Sequence, residues 1–206
     1  MPDAAPLPEI RLVTLTGEAL QPHLRDLARL RSAVFRDWPY LYDGDPDYEG
    51  DYLRSYARSP GAAVVLALAP GGEGERAVGA ATCQPMAEAS EPVRAAFAAG
   101  GIDPATACYF GESVLLPEYR GTGIGLGFFA HREAHARVLG AATAAFLAVR
   151  RDPGDPRRPA DAVPLDGFWR RRGYAPRPDI VATFRWKEID GVGEVANALT
   201  AWVKPL

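Results

Sequence analysis

The chain is poor in cysteine. Only Cys83 and Cys108 are present, far apart and without a close CxxC spacing, in strand-like surroundings. Two such thiols do not make a disulfide scaffold, and they suit a reducing, cytoplasmic setting. No apolar run approaches the length that spans a bilayer, so no membrane association is expected. Positive charge is not in excess either. The formal net charge is -3, which removes electrostatic support for a general nucleic-acid role. The amino end, MPDAAPLPEIR, is polar and proline-rich, unlike a leader, in which positive charge precedes an apolar core. No internal repeat and no dividing linker interrupts the chain. With 206 residues, 48% hydrophobic and 24% charged, the composition is that of one globular domain over 1–206.

Strand-like and helix-like patterns alternate along the chain. IRLVTLT at 10–16 reads as a first strand, and Leu20, Leu24, Leu27, Leu30 and Val34 form an amphipathic helical stripe. An aromatic and acidic segment, RDWPYLYDGDPDYEGDYLRSYARS, reads as turn, loop and second short helix. AAVVLALA and RAVGAATCQP flank PGGEGE, a hairpin turn between two strands. EPVRAAFAAG reads as a helix ended by Gly100 and Gly101. ACYFGESVLLP at 107–117 is a strand stopped by Pro117, and a helix then runs to about Leu139. The strand ATAAFLAVR follows near 141–149, then a Pro/Arg/Asp loop over roughly 151–166, the short helix GFWRRRGY and the strand IVATFRW. A final helix is expected near 190–203. The fold class is therefore α/β (α+β).

Between the 107–117 strand and the next helix the chain places glycine at 121, 123, 125 and 127, just after Arg120. Glycine weakens a helix, so four of them at its start need a reason. Backbone without Cβ lets a ligand come close and lets successive N–H groups converge on one point. Those groups are also the open donors of the coming helix, at the positive end of its dipole, where phosphate binds readily. Arg120 adds a formal charge. A Walker loop would need a Gly-Lys-Ser/Thr ending, and a dinucleotide fingerprint would need G-x-G-x-x-G. Neither spacing is present, since Gly121-x-Gly123 leads to Leu126 and Gly123-x-Gly125 leads to Phe128.

The spacing Arg120-x-x-Gly123-x-Gly125 resembles the R/Q-x-x-G-x-G/A pyrophosphate loop of the GCN5-related N-acetyltransferase (GNAT) superfamily. FWRRRGY is similar to that superfamily's late segment, where an aromatic residue precedes a Gly-Phe or Gly-Tyr pair. The element order from about 10 to 187 is compatible with the whole fold. The resemblance implies one GNAT-like domain with a central mixed, mostly antiparallel sheet, flanked by helices and splayed at the cofactor site. It implies acetyl-CoA as acyl donor and direct transfer to an amine, without a covalent acyl-enzyme. The pyrophosphate would rest on Gly121, Thr122, Gly123, Ile124, Gly125 and Leu126, supported by Arg120. The pantetheine arm would pair with the backbone of Ser113, Val114, Leu115 and Leu116.

Glu112, an acidic residue on this strand beside the implied thioester position, is the candidate base. The alternative is a strand-end glutamate that faces solvent or pairs with an arginine. The superfamily's usual acid is a tyrosine four residues before the late Gly-Phe/Tyr pair, and here that position is Trp169. Indole has no proton to give at neutral pH, so Tyr174, Tyr109 or water takes that place, or the protein binds acyl-CoA with weak or no catalysis. Trp38, Tyr40 and Tyr42, beside Asp43, Asp45, Asp47, Glu49 and Asp51, are candidate acceptor contacts. Aromatic faces with carboxylates would favour a small amine, a cationic one included. The bland alternative is a solvated acidic loop whose tyrosines pack on the core. A polypeptide amine is the narrower acceptor alternative, and oligomeric state, a homodimer included, stays open.

His131 and His135 are four apart on a helix, as zinc ligands can be, but HREAH is not H-E-x-x-H. They share a stripe with Ile124, Phe128 and Val138, so contact with the sheet is expected and metal is not. Glu133 and Arg137 read as a solvated ion pair on another face. Arg150, Arg151, Arg157 and Arg158 would touch coenzyme phosphates or pair with Asp152, Asp155 and Asp161.

Overall fold

The run AVVLALA has no polar face to show to water, and residues 63–69 are all buried. A strand apolar on both sides must be covered on both sides, and this requirement organises the protein. In the computed structural model the described residues are 9–44, 49, 53–54, 56–72 and 74–206. They form β1 (Arg11–Thr16), α1 (Leu24–Phe35), β2 (Ala63–Gly71), β3 (Gly74–Pro85), α2 (Glu91–Ala99), β4 (Ala107–Tyr109) and β5 (Ser113–Leu115). Then come α3 (Ile124–Val138), β6 (Thr143–Val149), α4 (Asp166–Arg170), β7 (Ala175–Lys187) and β8 (Glu194–Pro205). The eight strands make one sheet in the order β1-β2-β3-β4-β6-β8-β7, with β5 paired to β3. All pairings are antiparallel except β4 with β6.

Helices cover both faces. Leu27 and Leu30 of α1, with Leu53 and Tyr56, pack on Val64, Leu66, Ala80 and Val114. Ile124 and Phe128 of α3 cover Val65, Ala67, Val78 and Ala81 on the opposite side. Val93 and Phe97 of α2 close the other half of the sheet over Tyr109, Leu147, Ile180 and Leu199. No helix among the described residues is long and apolar enough to cross a membrane.

Most of the expected elements are present, with three differences. The first helix begins only at Leu24; Gly17–His23 is a 3-10 turn containing Pro22, which lacks the N–H an α-helix would use. The single strand expected over 107–117 is two, β4 and β5, parted at Phe110, Gly111 and Glu112. The helix expected near 190–203 is the strand β8. EVANALTA is rich in helix formers, but Asn197, Leu199 and Ala201 are buried at every second position. Pairing on both flanks, with β6 and β7, overrides weak local propensity. Of the expected second helix, residues 49, 53–54 and 56–58 are helical. Asp45, Asp47, Tyr48, Asp51 and Tyr52, Glu73 of the hairpin turn, and residues 1–8 lie outside the described residues.

Gly79 of β3 shows how tightly the site half is packed. A Cβ there would lie 2.6 Å from Leu115 Cδ1, 2.9 Å from the Val114 carbonyl oxygen and 3.2 Å from Phe128 Cζ. Gly79→Ala should cost about 1–3 kcal/mol through overpacking. It would show as a fall of several degrees in Tm, at roughly 2–4 °C per kcal/mol for this chain length.

Candidate active site

The four alternating glycines divide their work. Gly121 has φ +79° and Gly123 φ +90°, both left-handed, and nothing lies within 4 Å of a Cβ built on either. They turn the chain into α3 and leave open space beside it. Gly127 serves packing instead, since a Cβ there would fall 2.2 Å from Leu12 Cδ1 of β1. A Cβ at Gly125 would meet Phe168 Cζ at 3.4 Å. Gly123 is the N-cap, without a side-chain cap, and helical bonding starts where Leu126 N–H donates to Gly123 O at 2.9 Å. The N–H groups of Gly123, Ile124 and Gly125 precede that bond and form the helix's positive end. Thr122 Oγ1 donates to Tyr119 O at 2.7 Å and fixes the turn. Ile124 is buried and Leu126 is 46% exposed. The Arg120 side chain reaches back, with Nε donating to Leu115 O at 3.2 Å and Nη2 3.9 Å from Asp37 Oδ2.

Just before this turn the sheet opens. Phe110 N–H still donates to Ala145 O of β6 at 2.8 Å, but Gly111 N–H turns to Thr82 O of β3 at 3.1 Å. From there β5 pairs with β3 alone while β6 runs on beside β8. Thr82 N–H donates to Glu112 O and Leu116 N–H to Val78 O, each at 3.0 Å. By antiparallel alternation Val114 also faces β3, so the backbone groups of Ser113 and Leu115 face the opening.

Glu112 stands at the mouth of this opening and is 8% exposed. Its carboxylate pairs with Arg31 Nη1 of α1, and Arg31 Nε also bonds Glu49. The Glu112 carboxylate is thus paired with an arginine rather than turned to solvent. Arg132 of α3 approaches from the other face, with Nη1 donating to Glu112 O at 3.2 Å, and its guanidinium lies over Phe110 and Phe129. Neither arginine was foreseen as part of the site. The signal for Arg31 is its place four residues after Leu27, on the apolar stripe of α1, where a charge demands a partner.

Tyr174, one of the candidate proton donors, lies in the interior. It is 2% exposed among Phe110, Phe129 and Phe146, and its hydroxyl donates to Glu133 Oε1 at 3.2 Å. Burial, then the neighbouring Glu133 carboxylate, pushes its pKa up. Trp169 packs edge-on to Phe146 and Trp202. Tyr109 lies against Phe97 on the α2 side. Glu133 is itself buried rather than solvated, held at 2.8 Å by Lys204 Nζ, with Arg137 farther off at 3.6 Å. His131 Nδ1 sits 2.9 Å from Thr14 Oγ1, and His135 Nε2 donates to Gly61 O at 2.9 Å. Both contact the sheet side, as the stripe implied. Among the described residues no cluster of three metal-ligating side chains is present. Cys83 and Cys108 are both fully buried on β3 and β4; the neighbouring Cys108 thiol lowers the Cys83 pKa, and Cys83 together with burial raises that of Cys108.

The aromatic acceptor candidates mostly face inward. Tyr40 packs on Phe35 at 4.4 Å and Trp186 at 6.0 Å, and Tyr42 packs against the α1 core. Trp38 has Arg151 6.0 Å from its ring. This segment is stitched to the β7–β8 turn: Asp43 N–H donates to Lys187 O at 2.9 Å and Ile189 N–H to Leu41 O at 2.7 Å. Arg151 Nη2 donates to Tyr40 O at 2.7 Å and Nη1 to Glu188 at 2.6 Å, and Arg157 holds Glu188 and Asp155. Asp43 is already matched by Lys187 Nζ at 2.6 Å, so it offers no free charge to a cationic acceptor. Of the loop arginines, Arg157 pairs with Asp155 as one alternative had it, whereas Arg151 takes Glu188, a partner outside the expected aspartates.

No protein-family profile matches the chain, and no curated protein matches it by sequence. Solved structures do match in fold. A protein from Desulfovibrio desulfuricans assigned to the GNAT family of acetyltransferases is 10% identical, with 96% of this chain and 99% of that one covered at a TM-score of 0.57. An aminoglycoside 6'-N-acetyltransferase complexed with coenzyme A is 14% identical, with 94% and 96% covered at 0.57. The ribosomal-protein-alanine N-acetyltransferase from Brucella melitensis is 15% identical, with 95% and 99% covered, also at 0.57. The chain therefore has the fold of the GNAT acetyltransferases along nearly its whole length.

The Glu188 stitch gives a pH-dependent expectation. Burial opposes the Glu188 charge, but the hydrogen bonds from Arg151 and Arg157 prevail and hold its carboxyl below the usual range. A lowered carboxyl contributes stability above its unfolded value and loses it as pH falls through the folded one. Glu188→Gln should thus cost about 1–3 kcal/mol at neutral pH. In urea unfolding the deficit should begin to shrink as pH falls below the ordinary glutamate value of about 4.3, and it should vanish only once pH has passed below the lowered value of the folded protein.

Proposed function

We propose that the protein is an N-acetyltransferase that moves the acetyl group of acetyl-CoA to the amine of a small acceptor. The observation that carries this reading is the opening of the sheet at Gly111 directly before a helix that starts on left-handed glycines. The residues fit the donor. The first N–H groups of α3, beside open space at Gly121 and Gly123, suit a pyrophosphate, with Arg120 near it. The outward backbone of Ser113 and Leu115 suits the amides of a pantetheine arm. Solved chains of this fold include one that carries coenzyme A and one named for a ribosomal-protein alanine, so the fold serves more than one kind of amine.

In the reaction the amine nitrogen attacks the thioester carbonyl, the C–N bond forms, the C–S bond breaks, and the thiolate leaves. The amine must lose a proton and the thiolate gain one. Glu112 is the carboxylate at the mouth of the opening, and at 8% exposure it acts through a bridging water. Backbone N–H groups of β5 would polarise the carbonyl. With Tyr174 committed to Glu133, the thiolate takes its proton from solvent; a thiolate leaves readily, since thiols ionise near pH 8–9 (about 8.5 for cysteine). A second reading, an acyl-CoA-binding module without turnover, rests on that same lack of a tyrosine proton and on Trp169 being packed into the aromatic cluster.

Acetyl-CoA should raise Tm selectively over NAD and ATP, because it binds the native state. Gly123→Val, which forces a β-branched residue to φ +90°, should abolish that shift; an unchanged shift would remove the phosphate role of the turn. In an acetyl-transfer assay against an amine panel, Glu112→Gln should lower kcat at least tenfold (about 1.4 kcal/mol or more) and spare acetyl-CoA affinity. Transfer at the wild-type rate would remove Glu112 from the chemistry, and no transfer by the wild type would favour the binding-module reading.

A further inference from the structure

Among the described residues, Arg31, Glu49 and Glu112 form a buried cluster in which the guanidinium pairs with both carboxylates. Their side chains are 7%, 0% and 5% exposed. Arg31 Nε bonds Glu49 Oε2, and Arg31 Nη1 pairs with Glu112 Oε2. The other Glu49 oxygen, Oε1, is buried with no hydrogen-bond partner. A fully buried carboxylate oxygen without a donor is costly, and a merely structural ion pair between α1 and β5 would need only Arg31 and Glu112. Glu49 adds a second negative charge where dielectric screening is weak.

Resting on the reading of Glu112 as the proton acceptor, we infer that Glu49 is a positioning residue that keeps Glu112 basic by drawing on the same arginine. A carboxylate that owned Arg31 alone would be held strongly in its ionised form and would take a proton poorly. With Glu49 on the other edge of the guanidinium, the like charge opposes that effect and returns proton affinity to Glu112. Among the described residues, the other groups at Glu112 bond its backbone. Its N–H donates to Thr82 Oγ1 at 3.1 Å, and Thr82 Oγ1 donates to Tyr56 at 3.3 Å. Arg132, a second buried cation, comes from the α3 face and bonds the backbone oxygens of Glu112 at 3.2 Å and Thr82 at 3.5 Å. Arg132 and Tyr56 are the same in every variant below, so their influence cancels in the comparison.

The test is the pH profile of kcat/KM for acetyl transfer, paired with an NMR titration of the Glu112 side-chain carboxyl carbon, assigned by its loss in Glu112→Gln. In Glu49→Gln the like charge is gone, so the acidic limb of the profile and the Glu112 titration should both move to lower pH by about one to two units. Glu49→Asp, which keeps the charge, should return both toward the wild-type position. Glu49→Met removes charge and orphaned oxygen together and serves as the alternative if Glu49→Gln does not fold. A Glu112 titration that stays in place in these charge-removing variants overturns the inference, and so does a titration that moves while the rate profile does not. If the wild type transfers no acetyl group, the proposed activity fails on its own, and the carboxyl titration still decides whether Glu49 governs Glu112.

Discussion

Two adjacent backbone N–H groups point in different directions, and much of this protein follows from that. Phe110 N–H donates to Ala145 on β6, and the next donor, Gly111 N–H, turns to Thr82 on β3. A sheet can part in this way only where the cost of leaving a ladder is met by another partner, and the Thr82 backbone and side chain supply it for Gly111 and Glu112. Once the strands part, one edge of β5 is released to face the opening. Glu112 is placed at the mouth, and the chain is aimed toward the glycine turn that starts α3. The helices on each face then keep the parted strands from closing, since each half has its own apolar cluster.

The glycine turn was legible in the sequence because its requirement is local. Positive φ at Gly121 and Gly123 can be met by few other residues, and the flanking Pro117 and the apolar helix stripe mark its ends. The C-terminal strand was not legible, because Ala, Leu and Glu in EVANALTA carry a helix preference that only the neighbours β6 and β7 overturn. The glycines also hid a second purpose: Gly127 admits Leu12 of β1, a contact between residues far apart in sequence that no local pattern reveals. Tyr174 shows the same limit in the site. Its place after Gly173 was readable, but its burial against Glu133 and Lys204 depends on α3 and β8 meeting behind it.

Charge in this protein is arranged by pairing across elements. Arg31 joins α1 to β5 through Glu112, and Glu188 and Arg151 join the segment after α1 to the β7–β8 turn. Arg132 has backbone oxygens and two aromatic faces as its partners, a setting that burial makes expensive for a cation and that lowers its pKa. Such partners fix orientation as well as energy, because a guanidinium bonds only along its plane. The site is therefore held from both sides of the sheet by planar cations, with the acidic candidate between them.

Cys83 and Cys108 carry one more consequence. Both are fully enclosed on β3 and β4, next to the place where the sheet opens. A thiol reagent reaches them only when that part of the sheet separates, so alkylation records how often the strands come apart rather than how reactive the sulfurs are. The chain thus contains its own reporter of opening in the region that would hold the donor. Ligand occupancy on the neighbouring backbone would be visible as slower labelling of two residues that never touch it.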